Sequence, residues 1–200
     1  MDIFQIILLF NLCIVVGYFI ISMFVLKISG INPLGKRIKT KNTFGVLSII
    51  ISTLILFFLW IMYILSSNIS LSFISIDFLS ESLYIKWMAV LIMTVSTAIE
   101  IISGLTLGKS GRIHSPEEKT KLIIKGIYGI IRNPIVSGMF LYGLSILLLN
   151  PNLLSLVMIV FLAYGYNYKV DTEAKKLEEM FGDEWNVYCK NVGKYLPKLF

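Results

Sequence analysis

The sequence predicts an all-α, polytopic integral membrane fold, with about five transmembrane helices and a cytoplasmic C-terminal helical segment. Three observations carry this reading. Hydrophobic residues make up 56% of the 200, and the mean hydropathy is +0.82, well above the balance of a water-soluble globule. Charge-free runs long enough for the ~20 residues of a spanning helix recur along the chain. No segment alternates apolar and polar residues between turn signals as a barrel strand would, and in lipid only helices and closed barrels satisfy their own backbone groups.

The first helix is expected at about 3–26, which is uncharged throughout; the preceding "MDIFQ" lacks the positive start of a secretory signal, so this helix is read as retained. The stretch 42–76 also carries no charge and places a second helix at about 44–66. A third, at about 87–107, contains a single charge, Glu100. Two shorter runs, 135–149 and 153–168, flank "NPN" at 150–152, a turn signal that folds them into a hairpin of short spans. A carboxylate inside a span is costly and calls for a partner. Glu100 lies two turns from the basic end of its helix, and two readings stay open: pairing with Lys109, Arg112 or the interface, or a place in a pocket.

Of the 18 basic residues, all but Lys86 fall in three stretches, which follow the first, third and fifth helices. That asymmetry predicts an outside N-terminus and a cytoplasmic C-terminus. The net charge of +6 then reads as anchorage to anionic lipid head groups, with no nucleic-acid partner. Cys13 lies in the first helix and Cys189 in the cytoplasmic tail, so no disulfide is expected, and neither has a His or Cys neighbour at metal-ligand spacing. The single histidine, His114, precedes "SPEE" at 115–118, a helix start with proline at the first position and a capping-box glutamate.

The chain 1–200 is read as one domain in which polar material is concentrated in two segments, 108–134 and 169–200. Chemistry is expected where they meet. In the second, Val170, Ala174, Leu177 and Phe181 draw an apolar helical stripe, Lys169, Glu173 and Lys176 follow an adjacent face, and Gly182 stops the helix. The Lys169–Glu173 spacing also fits an ordinary exposed ion pair of ~0.3–0.5 kcal/mol. In the first, "GIYGIIRNP" at 126–134 has glycines that let backbone approach a ligand closely. Taken alone it equally fits an interfacial turn, with Tyr128 and Arg132 at the head groups and Pro134 opening a helix.

Together, "KLIIKGIYGIIRNP" at 121–134 and, after the hairpin, "KVDTEAKKLEEMFGDEWNVYCKNVGKYLP" at 169–197 resemble the isoprenylcysteine carboxyl methyltransferase family and its phospholipid methyltransferase relatives. The resemblance covers roughly the last half of the chain. It implies an integral membrane enzyme that moves a methyl group from S-adenosylmethionine to a lipidic or hydrophobic acceptor among membrane lipids, with the carboxylate of a prenylated small molecule or peptide, such as an isoprenylcysteine, as one such acceptor. It assigns cofactor binding to Thr120, Lys121, Leu122, Ile123, Tyr128, Asn133, Pro134 and Glu173, and the catalytic, acceptor-holding roles to Arg132 and Lys169. The chain departs from the family at Asn133 and Thr120, where histidine is usual, at Val136, where tyrosine is common, and at Lys169, where arginine is expected. Asparagine still donates and accepts hydrogen bonds, whereas lysine keeps the charge but lacks the bidentate fork. Two other functions fit the same fold: a non-catalytic lipid- or partner-binding membrane protein, and a nicotinamide-dependent membrane reductase, which the "FGDEW" phrase disfavours.

Overall fold

The computed structural model describes residues 2–30, 43–65, 82–108 and 122–198. Within them the chain forms α1 (Ile3–Ile28), α2 (Thr43–Leu65), α3 (Leu83–Leu107), a 3-10 turn (Gly126–Gly129), α4 (Pro134–Leu149), α5 (Leu153–Phe181) and α6 (Asp183–Asn191), with no β-sheet among the described residues. Helices α1, α2, α3 and α5 are each long and apolar enough to cross a membrane. The protein is an integral membrane protein. Helix α4 has 16 residues, ~24 Å at 1.5 Å per residue, against a hydrocarbon core of ~30 Å. It is also the most enclosed of the apolar helices, with both ends and its small-residue face covered by protein, so it needs no full-length apolar match to lipid.

The apolar helices pack as a ring in the order α1, α3, α4, α5, α2, closed by lighter contact between α2 and α1. Leu8, Leu56, Trp60, Met93, Ile146 and Leu162 fill its centre and are almost fully buried. Helix α1 buries only Phe4, Gln5, Leu8 and Asn11, a single edge near its N-terminus, and leaves Ile3, Ile6, Phe10, Ile20 and Phe24 among its exposed apolar side chains. Capping boxes start two helices: Asp2 with Gln5 on α1, and Asn152 with Ser155 on α5, the latter closing the hairpin turn at 150–152.

The α2–α5 crossing depends on a close approach. A Cβ on Gly165 would stand 2.5 Å from Ile49 Cγ1 and from Ser48 Oγ and 2.8 Å from the Gly45 carbonyl oxygen, which is backbone and cannot rotate away. Gly165→Ala is therefore expected to destabilise the protein by about 1–3 kcal/mol, seen as a lower thermal-unfolding midpoint in detergent. An unchanged midpoint would show that the crossing relaxes freely.

Three boundaries differ from expectation. The expected helix 153–168 does not end at the membrane edge but continues through the expected cytoplasmic helix as the single 29-residue α5. The buried face of Leu162, Tyr166 and Val170 runs on into Ala174, Leu177 and Phe181, and nothing breaks the helix before Gly182, whose φ of +53° stops it. Helix α3 starts at Leu83 rather than 87, so Lys86 sits within its first turn, where a long stem lets the ammonium reach water. Beyond Asn191 the described residues, 192–198, are not helical: Val192 is extended, with φ −119° and ψ 133°. The expected helix start at 115–118, His114, Lys109 and Arg112 lie outside the described residues.

Candidate functional site

The site begins with a reversal of the chain. Gly126, at φ +60°, admits the left-handed backbone that lets 126–129 coil as a 3-10 turn, closed by Ile130 and Ile131 N–H groups donating to the Ile127 carbonyl at 3.1 and 3.0 Å. The turn buries Tyr128. Its backbone is held from the other polar segment: the Tyr188 hydroxyl of α6 donates to the Tyr128 carbonyl at 2.6 Å. Tyr188→Phe removes that bond alone and is expected to cost ~0.5–1.5 kcal/mol of local stability, read as faster amide exchange across 126–131. Exchange at the wild-type rate would detach α6 from the turn.

Immediately after the turn the two polar segments run side by side. Ile131 pairs with Gly193 in an isolated parallel bridge. The Arg132 N–H donates to Gly193 O at 2.8 Å, and both the backbone N–H and the side-chain Nδ2 of Asn133 donate to Lys194 O, at 3.2 and 3.1 Å. The Ser137 hydroxyl donates to Tyr195 O at 2.6 Å. The tail is in turn fastened to α5, where Lys194 Nζ donates to Asp171 at 2.7 Å and the Tyr195 hydroxyl to Asn167 Oδ1 at 2.7 Å. Expected site residues from 122–134 and from 169–173 are thereby brought to one wall.

That wall encloses a chamber of about 1210 Å³ between the helices. Leu122, Ile123 and Tyr128 line it from the turn, Arg132, Asn133, Pro134 and Val136 from the start of α4, Lys169 and Glu173 from α5, and Trp185 and Tyr188 from α6. Thr120 and Lys121, expected beside Leu122, lie outside the described residues. Lys169 Nζ stands 3.7 Å from Glu173 Oε1, and both side chains are partly open to the chamber. Arg132 Nη1 donates to Cys189 Sγ at 2.6 Å, and its guanidinium lies 5.9 Å from the Trp185 ring, while its Nε is buried with no partner among the described residues. Burial pushes the Tyr128 phenol upward, with Tyr188, Tyr18 and Glu173 nearby adding to the shift, so it stays protonated. Burial likewise pushes Tyr188 up to about 12, against the lowering effect of Arg132.

The chamber also has walls that the motif reading did not supply. Tyr18 and Phe19 of α1, Thr53, Phe57 and Trp60 of α2, Glu100 and Gly104 of α3, Tyr142 further along α4 and Tyr166 earlier on α5 all face it. Gly104 lies directly beneath the Tyr18 hydroxyl, which a Cβ there would strike. These residues sit in helices that are apolar on every side, so no period in the sequence separates chamber-facing from lipid-facing positions. Tyrosine and tryptophan within such helices are the available signal. The chamber exceeds the roughly 300–1,000 Å³ of an ordinary small-molecule site and combines three carboxylates (Glu100, Asp171, Glu173), three cations (Arg132, Lys169, Lys194) and phenols with long aliphatic walls.

A ring of membrane helices that surrounds such a chamber defines an integral membrane protein with an internal cavity of mixed polar and apolar lining. The chain belongs to the phospholipid methyltransferase family, whose model matches residues 84–184, half of its length. It is thus a member of a membrane methyltransferase family, and the matched residues run from α3 through the turn, α4 and α5 into the first residues of α6. Two rice proteins, of Oryza sativa subsp. indica and subsp. japonica, each named "Probable protein-S-isoprenylcysteine O-methyltransferase", are 26% identical to it over 144 residues, covering 64% of this chain and 74% of theirs.

Proposed function

We propose that this protein is an S-adenosylmethionine-dependent methyltransferase that acts on a lipidic or hydrophobic acceptor, with its N-terminus outside and its chamber at the cytoplasmic face. One observation carries the reading: Tyr128 and Glu173, from polar segments separated by a whole helical hairpin, line a single chamber. The residues suit the cofactor's parts. Glu173 accepts from its ammonium, and the unpartnered Nε of Arg132 offers a buried cationic donor to its carboxylate. Leu122, Ile123, Tyr128 and Pro134 supply flat and aliphatic surface for the adenosine. Asn133 commits one of its N–H donors to Lys194 O, and so offers chiefly Oδ1 to a ligand. Thr120 and Lys121 belong to this reading through the resemblance alone.

When bound, S-adenosylmethionine supplies a sulfonium-activated methyl group. An ionised acceptor needs no base for this transfer, so the protein's work is alignment and exclusion of water around charges that cancel as the bond forms. Lys169, beside Glu173, holds an anionic acceptor in this reading, and Arg132 lines the same chamber. The acceptor that the rice proteins' name specifies for them, an isoprenylcysteine, has its reacting group on a long apolar tail, which the aliphatic surfaces of α1 and α2 would receive from the bilayer.

Equilibrium binding of S-adenosylmethionine to the purified protein in detergent, followed by labelled-methyl transfer into a total membrane lipid and small-molecule extract, tests the proposal. Donor binding and a labelled amphiphilic product are expected. Folded protein that binds no donor would instead favour the non-catalytic reading, and displacement of the donor by a nicotinamide nucleotide would favour the reductase.

A further inference from the structure

The polar ligand contacts proposed above come from residues 122–134 and from α5, whereas α1 gives the chamber a mainly apolar lining. Two side chains on that lining carry hydroxyls, Tyr18 and Ser22. Ser22 turns its own back onto the Phe19 carbonyl at 3.3 Å. Tyr18 makes no hydrogen bond among the described residues, so its hydroxyl is available to a ligand in the chamber.

The fold makes a place for this phenol. It reaches from α1 onto α3 at Gly104, where a Cβ would fall on the hydroxyl and come within 3.0 Å of Tyr18 Cζ, an approach that only a glycine allows without moving the ring. The glycine turn rests on the same turn of α3, since a Cβ on Gly126 would stand 3.3 Å from Thr106 Cγ2. Tyr18 is thereby brought beside the donor wall, within the electrostatic reach of Tyr128, as Glu173 is. A phenol at this junction offers a flat apolar body to a tail and a polar tip to a head group. In the proposed site the cofactor's ammonium and carboxylate are met by Glu173 and Arg132. The acceptor's anion has Lys169, a point charge without a bidentate fork, so a second donor is what fixes the plane of a carboxylate there.

We propose that the Tyr18 hydroxyl, held in place over Gly104, donates a hydrogen bond to the anionic group of the methyl acceptor. The proposal rests on the methyltransferase reading and deepens it by adding an acceptor-binding residue from α1, a helix outside the residues 84–184 that the family model matches. Lys169 supplies the counter-charge and Tyr18 the orientation.

The test uses the full chain in phosphatidylcholine nanodiscs and compares saturable binding of labelled S-adenosylmethionine, of N-acetyl-S-farnesylcysteine as a prenylated carboxylate, and of the methyl ester of that probe, each corrected with empty nanodiscs. Tyr18→Phe removes one oxygen and keeps the ring. It is expected to weaken carboxylate binding at least about tenfold, to change ester binding less than about threefold, and to leave donor binding intact. Gly104→Ala, whose methyl drives the phenol from its place, is expected to reproduce the loss and serves if the first variant fails to fold. Because both act through one hydroxyl, the double variant is expected to bind the carboxylate no more weakly than Tyr18→Phe alone. Carboxylate affinity unchanged in both single variants, equal weakening of carboxylate and ester, or wild-type protein that binds the donor but not the carboxylate overturns the proposal and leaves the methyltransferase reading standing. Loss of donor binding in Tyr18→Phe also overturns it, since the hydroxyl would then serve the cofactor. Folded wild-type protein that binds no donor overturns the methyltransferase reading itself, and with it the acceptor role of Tyr18.

Discussion

Glu173→Ala is expected to bind S-adenosylmethionine about 10- to 100-fold more weakly than the wild type while unfolding at nearly the same temperature. A charge-assisted hydrogen bond to a ligand ammonium contributes ~1.5–3 kcal/mol, which sets that range. The effect on the fold is far smaller. Glu173 is paired at 3.7 Å with Lys169 one turn away, with side-chain exposures of 24% and 35%, and a partly solvated pair of this kind is worth only ~0.3–0.5 kcal/mol. Equilibrium dialysis with labelled donor, set beside thermal unfolding in the same detergent, separates the two quantities. Glu173→Gln, which keeps an acceptor oxygen but not the charge, should fall between. Donor affinity at the wild-type level in Glu173→Ala would take this carboxylate out of the donor site.

Gly193→Ala should have a larger structural effect. The added Cβ would land on the Leu196 carbonyl oxygen, a backbone atom only three residues along, so the segment 192–196 has to move. That segment presents the acceptors for four bonds: Arg132 N–H to Gly193 O, Asn133 N–H and Nδ2 to Lys194 O, and the Ser137 hydroxyl to Tyr195 O. At ~0.5–1.5 kcal/mol each, their loss removes ~2–6 kcal/mol from the contact that holds the glycine turn against the tail. Donor affinity should then fall by more than about tenfold, and trypsin should cut sooner at Lys190 and Lys194. Limited proteolysis and donor binding on the same preparation report both effects. A variant with the wild-type digestion pattern and affinity would show that the tail does not brace the chamber.

The two variants probe different kinds of information in the chain. The pairing of Glu173 with Lys169 was legible because a carboxylate four residues after a lysine on one helix is a side-chain pattern. The role of Gly193 was not, since what it does is bring backbone carbonyls against backbone amides of 131–133, and such bonds carry no side-chain signature. The same distinction separates the helices. The hairpin at 150–152 was readable from two asparagines and a proline, and Asn152 does cap α5. The continuity of α5 past 168 was not, because a change from apolar to charged composition resembles the edge of an element although no residue there breaks a helix.

The sequence by itself determined that this protein lives in a bilayer, that its spans are helical and follow one another in a set order, and that two of its segments, 108–134 and 169–200, are rich in charge, because apolar run length, helix breakers and charge placement are local properties. Only the tertiary structure decided which faces of the uniformly apolar helices turn inward, and with them that Tyr18, Trp60, Glu100 and Tyr142 share a chamber with the two polar segments. In a helix that is apolar all round, lipid and protein are equivalent surroundings for most side chains, so the choice between them is made by close approaches such as Gly138 against Glu100 and Gly165 against Ser48, and these exist only once the helices have met.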